Sequence, residues 1–123
     1  MKERGWRVFA TARKPEDLAM LEGMGIEAVY LDYAEPLSIE TCAKEVLERT
    51  GGTLDALFNN GAYAQPGALE DISADILRPQ FEVNFIGWHA LTRSLIPAMR
   101  AQGHGRIVQC SSVLGLIGMK FRG

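Results

Sequence analysis

Short apolar runs alternate with helical stretches along the whole chain, and no other feature constrains the fold as strongly. The runs that predict strands span residues 6–12, 26–32, 53–60 and 105–112. The stretches between them are long enough to be helices that cross back over the sheet, so that successive strands run parallel. Because the strands are almost continuously apolar, helices should cover both faces of the sheet. We therefore predict an α/β fold with a doubly wound parallel sheet.

Proline and glycine mark where the first two predicted helices begin and end. Pro15 and Pro36 suit the first helical turn, where an amide hydrogen has no partner in any case. Gly23 and Gly51 stand where these helices should stop. One face of the second helix carries the apolar residues Ile39, Ala43, Val46 and Leu47. This face should pack on the sheet.

A longer helical pattern separates the third and fourth strands. Its apolar residues recur at spacings of three, four or seven: Leu77, Phe81, Phe85, Trp88, Leu95 and Met99. We expect a single helix whose apolar stripe faces inward, with a kink or a frayed end near Pro97. Asn84 lies among the stripe residues, so its amide should also point inward. There it would be either a satisfied core asparagine or a functional group.

Charge and composition exclude several classes of protein. Thirteen Lys and Arg residues against fifteen Asp and Glu give a net charge of −2, which offers no basic surface to nucleic acid. No apolar run approaches the roughly 18 residues of a membrane span, and the first residues lack a signal-peptide pattern. Cys42 and Cys110 have no metal-binding spacing and should be small buried residues in a reducing compartment. A cytoplasmic protein without a metal site is therefore expected.

The first two strands lead to residues that could bind a nucleotide, since parallel sheets bind ligands beyond the carboxyl ends of their strands. Ala12 and Arg13 end the first strand. An acid here would hold a ribose 2′-hydroxyl, whereas an arginine accommodates a 2′-phosphate. Taken alone, an arginine at this position is more often a solvated loop residue than a phosphate ligand. After the second strand, Asp32 could accept from an adenine amino group or serve as an acid ahead of a helix, and Tyr33 follows it.

Small and polar residues follow the third and fourth strands. Residues 59–62, Asn-Asn-Gly-Ala, predict a turn where a backbone can approach a flat ligand closely. Ser111 and Ser112 follow the fourth strand, and Gly115 comes shortly after them. Turn propensity alone would also favour both patterns, so neither decides the function by itself.

Three segments together resemble the short-chain dehydrogenase/reductase family. "LDALFNNGA" resembles the family's Asn-Asn-Ala-Gly segment, "FEVNFIG" the segment with its catalytic asparagine, and "GRIVQCSSVLGLIG" the strand and loop with its catalytic serine. The order and spacing agree, and the resemblance covers essentially the whole chain. It implies a Rossmann-like fold, with residues 1–123 forming one partial NAD(P)-binding domain. One departure is that Gly61 precedes Ala62, where the family has alanine and then glycine.

The resemblance also implies an activity. The family transfers a hydride between a nicotinamide cofactor and a small alcohol or carbonyl substrate, and full-length relatives are commonly homo-oligomers. Arg13 would favour NADP(H) over NAD(H). The implied catalytic residues are Ser112, which would orient the substrate oxygen, and Asn84, which would support a proton relay. Residues 114–121 would form one wall of the substrate pocket. The implied cofactor-binding residues are Ala12, Arg13, Asp32, Tyr33, Asn60, Gly61, Ala62 and Ser111.

Two parts of the family pattern are absent from the sequence. These are the Gly-rich turn that follows the first strand of the family and the Tyr-x-x-x-Lys pair that moves the proton. In the doubly wound order, the strand before that turn lies at the centre, between residues 6–12 and 53–59. We therefore expect a chain that lacks the first central strand and the last strands, and that folds poorly alone. The alternative to an enzyme is a non-catalytic fragment or partner module; a response regulator would need an aspartate cluster that is missing here.

Overall fold

The computed structural model describes residues 1–121 and contains four short strands and four α-helices. The strands are β1 (Phe9–Ala12), β2 (Glu27–Tyr30), β3 (Ala56–Asn59) and β4 (Arg106–Gln109). The α-helices are α1 (Pro15–Gly23), α2 (Pro36–Arg49), α3 (Ala74–Phe81) and α4 (Gly87–Gln102). A π-helical turn, Glu82–Ile86, joins α3 to α4, and short 3₁₀ turns occupy Lys2–Arg4, Leu69–Asp71 and Val113–Gly115. The predicted alternation of strands and helices is confirmed.

The strands form two separate parallel pairs. β1 pairs with β2, with Phe9 opposite Glu27, and β3 pairs with β4, with Ala56 opposite Arg106. The facing edges of β1 and β3 are not hydrogen-bonded to each other. This gap lies where the sequence predicted the position of a further central strand.

The first two helices begin and end near the proline and glycine residues that predicted their limits. Pro15 and Pro36 are the first residues of α1 and α2. Beyond the helices, Gly25, Gly51 and Gly52 have φ values of 68°, 67° and 85°, which side-chain-bearing residues rarely adopt. These glycines allow the chain to reverse into β2 and towards β3.

The hydrophobic core lies between β2, α2 and α4. Val29 and Leu31 contribute from and just after β2, and their side chains are 3% exposed. Ile39, Ala43 and Val46 contribute from α2, as the predicted apolar face requires. The residues that α4 adds to this cluster are Leu91 and Leu95. Burial of these apolar side chains packs α2 against α4.

The long helix differs from its prediction in its first half. Trp88, Leu95 and Met99 are buried, but Leu77, Phe81 and Phe85 are exposed, so the predicted inward stripe is wrong before α4. Within residues 1–121, α3 packs mainly on the π-helical turn that follows it, so little covers these apolar side chains. The α4 helix continues through Pro97 to Gln102 and ends at Gly103, where φ is 81°.

The two cysteines have different environments. Cys42 is buried in the α2 face, as predicted, and burial raises the pKa of its thiol to about 11. Cys110 is exposed, so the prediction of a buried residue is wrong there. It follows β4, whose four residues are all exposed.

Within residues 1–121, no helix is long and apolar enough to cross a membrane, and no cluster of His, Cys, Asp or Glu could hold a metal ion.

An ion-pair network ties the amino ends of β1 and β2 to α2. Arg7 Nε lies 2.6 Å from Glu27 Oε1, and Arg49 Nη2 lies 2.6 Å from Glu27 Oε2. Both guanidinium groups also lie 4.9 Å from the centre of the Phe9 ring. The hydrogen bond from Arg7, reinforced by that from Arg49, lowers the pKa of Glu27 to about 2.

Candidate active site

The loops after β2 and β3 meet at the start of α4. Tyr33 packs between Gly61 and Gly87: a Cβ added to Gly61 would lie 2.8 Å from Tyr33 Cε2. At Gly87 the added Cβ would lie 2.7 Å from both Tyr33 Cβ and the Tyr33 carbonyl oxygen. Only glycine fits at these positions while Tyr33 keeps its place. Burial raises the pKa of Tyr33 to about 12, so this phenol stays neutral at physiological pH.

The contact with Tyr33 also gives a physical reason for the order of Gly61 and Ala62. The first of the two small residues must leave room for the Tyr33 ring, and Gly61 does so. The second position does not need glycine, because among residues 1–121 the only non-glycine residue with positive φ is Phe121. Ala62 therefore occupies a conformation open to any residue, and the exchange causes no backbone strain.

Arg13 and Asp32 face each other across the carboxyl ends of β1 and β2. Arg13 Nη1 lies 3.6 Å from Asp32 Oδ2, and the Arg13 side chain is 62% exposed. Asp32 also supports its own turn, since its Oδ1 accepts from the amide of Ala34 at 2.9 Å. Its backbone amide donates to Ser38 Oγ at 2.8 Å. The carboxylate is thus a turn residue ahead of α2, and the guanidinium beside it keeps most of its surface open to solvent.

The sequence pattern predicted that Asn59 belongs to the turn after β3. In the structure it belongs to the strand and has a structural role. It is the last residue of β3 and is fully buried. Its Nδ2 donates to Thr92 Oγ1 at 3.0 Å and to Gln109 Oε1 at 2.9 Å, which ties β3 to both α4 and β4. Its Oδ1 has no hydrogen-bond partner within the described part of the chain. The turn therefore begins at Asn60, which is exposed and lines the gap between β1 and β3.

Asn84 braces the loop after β3 from within the π-helical turn. Its Nδ2 donates to the Tyr63 carbonyl at 2.7 Å, and its Oδ1 accepts from the Tyr63 amide at 3.1 Å. Trp88 Nε1 adds a bond to the Gly61 carbonyl at 2.8 Å. The half-buried Asn84 thus faces this loop and not the α2–α4 core, which corrects the predicted inward position.

The backbone of Tyr63 carries no sequence pattern that predicts its role in this contact. In the structure, the π-helical turn marks this contact, since such turns in long helices frequently lie at functional sites. Such a turn is not visible in a hydrophobic pattern, because the pattern assumes a constant helical period.

Ser111 and Ser112 are exposed at the end of β4. Ser112 Oγ accepts a hydrogen bond from the Leu114 amide at 3.1 Å, which starts the 3₁₀ turn Val113–Gly115. As an acceptor in this bond, the hydroxyl keeps its own hydrogen for another partner. Within residues 1–121, no hydrogen bond links either serine to Asn84. The segments that hold them do meet further on, where the Gly67 amide donates to the Phe121 carbonyl at 3.1 Å.

Comparison with known proteins identifies the family. A family model described as short chain dehydrogenase matches residues 1–122. The chain belongs to the short-chain dehydrogenase family. It is 42% identical over 123 residues to the uncharacterized oxidoreductase YbbO of Escherichia coli, covering 100% of this chain and 46% of that protein. It is 35% identical over 112 residues to dehydrogenase/reductase SDR family member 7B of Bos taurus, covering 87% of this chain and 34% of that protein.

Solved structures of this family have the same fold. A short-chain dehydrogenase from Streptomyces avermitilis matches with a TM-score of 0.88 and 35% identity, over 98% of this chain and 45% of that one. A variant of actinorhodin polyketide ketoreductase, solved with NADPH, matches with a TM-score of 0.87 and 30% identity, over 98% of this chain and 49% of that one. The Rossmann-like fold is thereby confirmed. The chain spans less than half the length of each of these relatives.

Proposed function

We propose that this short-chain dehydrogenase is an NADP(H)-dependent oxidoreductase that interconverts an alcohol and a ketone or aldehyde. NADP(H) would supply or accept the hydride. Family membership supports the reaction class, and the similar ketoreductase solved with NADPH supports the cofactor class. The substrate would be a small molecule, as membership of the short-chain dehydrogenase family implies.

One observation carries the preference for the phosphorylated cofactor. At the carboxyl end of β1, the residue that faces solvent is Arg13, whose guanidinium is largely exposed. A planar guanidinium can donate two parallel hydrogen bonds to a phosphate, whereas a ribose 2′-hydroxyl is better held by a carboxylate. The nearby carboxylate, Asp32, is already engaged by the Ala34 amide and by Arg13. The donor set at this edge therefore fits a 2′-phosphate.

The rest of the cofactor would lie along the braced turn after β3. Asn60, Gly61 and Ala62 would line its ribose side, and the fixed position of Gly61 between Tyr33 and Trp88 would keep this edge rigid. Rigid placement favours hydride transfer, which depends on close approach of donor and acceptor atoms. Ala12, Asp32, Tyr33 and Ser111 complete the proposed cofactor contacts.

Ser112 would orient the substrate oxygen. Its Oγ already accepts from the Leu114 amide, so the hydroxyl hydrogen can be donated to a carbonyl oxygen or an alcohol oxygen. A donor placed where negative charge develops typically contributes about 10²–10³ in rate. The segment 114–121 that follows carries exposed apolar side chains, among them Leu116 and Met119, which suits an apolar wall of the substrate pocket.

Asn84 would act as a positioning residue for this site. Both ends of its amide hold the backbone of Tyr63, so the side chain fixes the loop that continues from the cofactor edge. The proposed support of a proton relay would then come from the fixed geometry of this segment.

Cofactor binding tests the proposal. In the protein expressed from its natural gene, we expect Arg13→Ala to weaken NADPH binding about tenfold or more and to leave NADH binding within about twofold, because only the phosphate contact is lost. Ser112→Ala should keep NADPH affinity and lose ketone reduction by about 10²-fold or more. Isothermal titration and the change in NADPH absorbance measure these effects. The matched control is Arg78→Ala, another exposed arginine. Equal losses for both cofactors, or unaltered reduction by Ser112→Ala, would contradict the proposal.

A further inference from the structure

The loop that continues from the turn after β3, residues 63–67, is held at alternate residues by side-chain amides. The Tyr63 amide donates to Asn84 Oδ1 at 3.1 Å. Two residues on, the Gln65 amide donates to Gln80 Oε1 at 2.7 Å. Alternate residues of an extended chain direct their backbone groups to the same side, so both amides meet the same helical segment. Side chains thus hold this loop where the backbone of a neighbouring strand would hold a strand.

The position of Gln80 suits this contact. It lies near the end of α3 and four residues before Asn84, a spacing that places two side chains on the same face of a helix. Its side chain belongs to a half-buried residue. A backbone amide can only donate, so the Gln80 atom that faces Gln65 must be the amide oxygen. The bond therefore requires an acceptor at position 80, and a carboxylate would serve as well as an amide.

The bond from Gln65 to Gln80 directly precedes a contact with another segment. Pro66 has no amide hydrogen, and it restricts the preceding residue to extended conformations. The next amide, that of Gly67, donates to the Phe121 carbonyl at 3.1 Å. No backbone amide lies between these two bonds. The loop is thus fixed to the helix at Gln65 and meets residues 114–121 at the following amide.

We infer that Gln80 is a positioning residue for the wall of the substrate pocket. By holding the Gln65 amide, it sets the place of the adjacent Gly67 amide, which binds residues 114–121. This inference rests on the proposed function, which makes residues 114–121 that wall. Gln80 touches neither cofactor nor substrate in this arrangement and acts through the loop.

The proposed cofactor edge has anchors of its own. Trp88 Nε1 donates to the Gly61 carbonyl at 2.8 Å, and the Tyr33 ring packs closely on Gly61. Neither contact involves Gln80. Loss of the Gln80 bond should therefore weaken the binding of substrate and leave the binding of NADPH unchanged.

Two substitutions separate the acceptor of Gln80 from its shape. Gln80→Met keeps the length of the side chain and removes the acceptor, whereas Gln80→Glu keeps an oxygen that can accept from Gln65. The matched control is Gln102→Met. Gln102 Oε1 accepts from the Leu54 amide at 2.9 Å, which is the same kind of bond at the opposite, amino end of β3.

Amide hydrogen exchange tests whether Gln80 holds the loop in the protein expressed from its natural gene. In Gln80→Met, the Gln65 and Gly67 amides should exchange at least about tenfold faster, and the Leu54 amide should be unaffected. Gln102→Met should show the reverse pattern, and Gln80→Glu should match the natural protein. Unaltered exchange at Gly67 in Gln80→Met would overturn the inference, because Gln80 would then not hold the wall.

Steady-state kinetics with NADPH and two apolar ketones, acetophenone and 2-decanone, tests the effect on the substrate. In Gln80→Met, we expect the KM for ketone to rise at least about fivefold, with kcat and the Kd for NADPH within about twofold of the natural values. Gln80→Glu and Gln102→Met should keep the natural KM, even where the thermal midpoint falls.

The kinetic outcomes distinguish the inference from the proposed function. An unchanged KM in Gln80→Met, or an equal rise in Gln102→Met, would overturn the inference and leave the proposed function intact. If the natural protein reduces neither ketone with NADPH, the proposed function fails for apolar ketones, and the exchange of the Gly67 amide alone decides the inference.

Discussion

β2 and β4 are four-residue strands with two central apolar residues each, yet the structure treats them differently. Val29 in β2 is 3% exposed beneath α2 and α4, whereas Val108 in β4 is 51% exposed. Both strands are edge strands of two-stranded sheets. The difference comes from the helices that cover a strand. Of these two strands, only β2 has helices packed over its apolar side within residues 1–121. Apolar sequence makes a strand, but the neighbouring elements decide how much that strand contributes to stability.

The largest expected effect comes from truncating the same residue type in both strands. Val29→Ala should lower the free energy of unfolding by about 2–3 kcal/mol, because it removes buried methyl groups and leaves a cavity in the core. Val108→Ala should cost less than about 1 kcal/mol, since its side chain is already half in water. Urea denaturation of the two variants measures both values. Similar losses would mean that β4 is covered as well as β2 is.

A pair of glycine substitutions extends the comparison to close packing. Gly87→Ala places a Cβ 2.7 Å from the Tyr33 carbonyl oxygen, so we expect a loss of about 2 kcal/mol even though alanine favours helices. Gly23→Ala, at the end of α1, meets nothing within 4 Å and should be neutral or stabilising by up to about 1 kcal/mol. Thermal denaturation distinguishes them. If both substitutions stabilise the protein, Tyr33 does not pack against α4 as described.

The smallest effect concerns charge at the amino end of β1 and β2. Glu27 has a folded pKa of about 2 against an ordinary value of 4.5, so its carboxylate stabilises the folded state above pH 4.5. This contribution should disappear as the pH falls from 4.5 towards 2. The difference in thermal midpoint between the natural protein and Glu27→Gln should therefore shrink over that range, and it should also shrink with added salt. A difference that is constant with pH would exclude this role of Glu27.

Local signals in the sequence predicted much of the fold. Pro15 and Pro36 mark helix starts because proline loses nothing at the first helical position, and the Ile39 face of α2 is buried as its spacing requires. The central gap was also predictable, since strand order in doubly wound sheets follows fixed rules. These features depend on residues close in sequence or on general topology.

The details of the site depend on contacts between distant residues, which one sequence does not reveal. The packing of Tyr33 on Gly61 and Gly87 joins three segments, and no local pattern indicates it. The inward position expected for Asn84 was wrong because a π-helical turn breaks the helical period at that residue. The exposure of Cys110 follows from the open face of β4 and not from its own apolar character. The expectation that residues 1–123 fold poorly alone stays a prediction.

The most direct test of the account is amide hydrogen exchange along β1 and β3. The amides of Phe9, Thr11, Ala56 and Phe58 should exchange at least about tenfold faster than those of their neighbours Ala10, Ala12, Leu57 and Asn59, which face paired strands. Such alternation would establish two open edges on either side of a groove. Equal protection of all eight amides would contradict the account, because the inner edges of β1 and β3 would then already be paired.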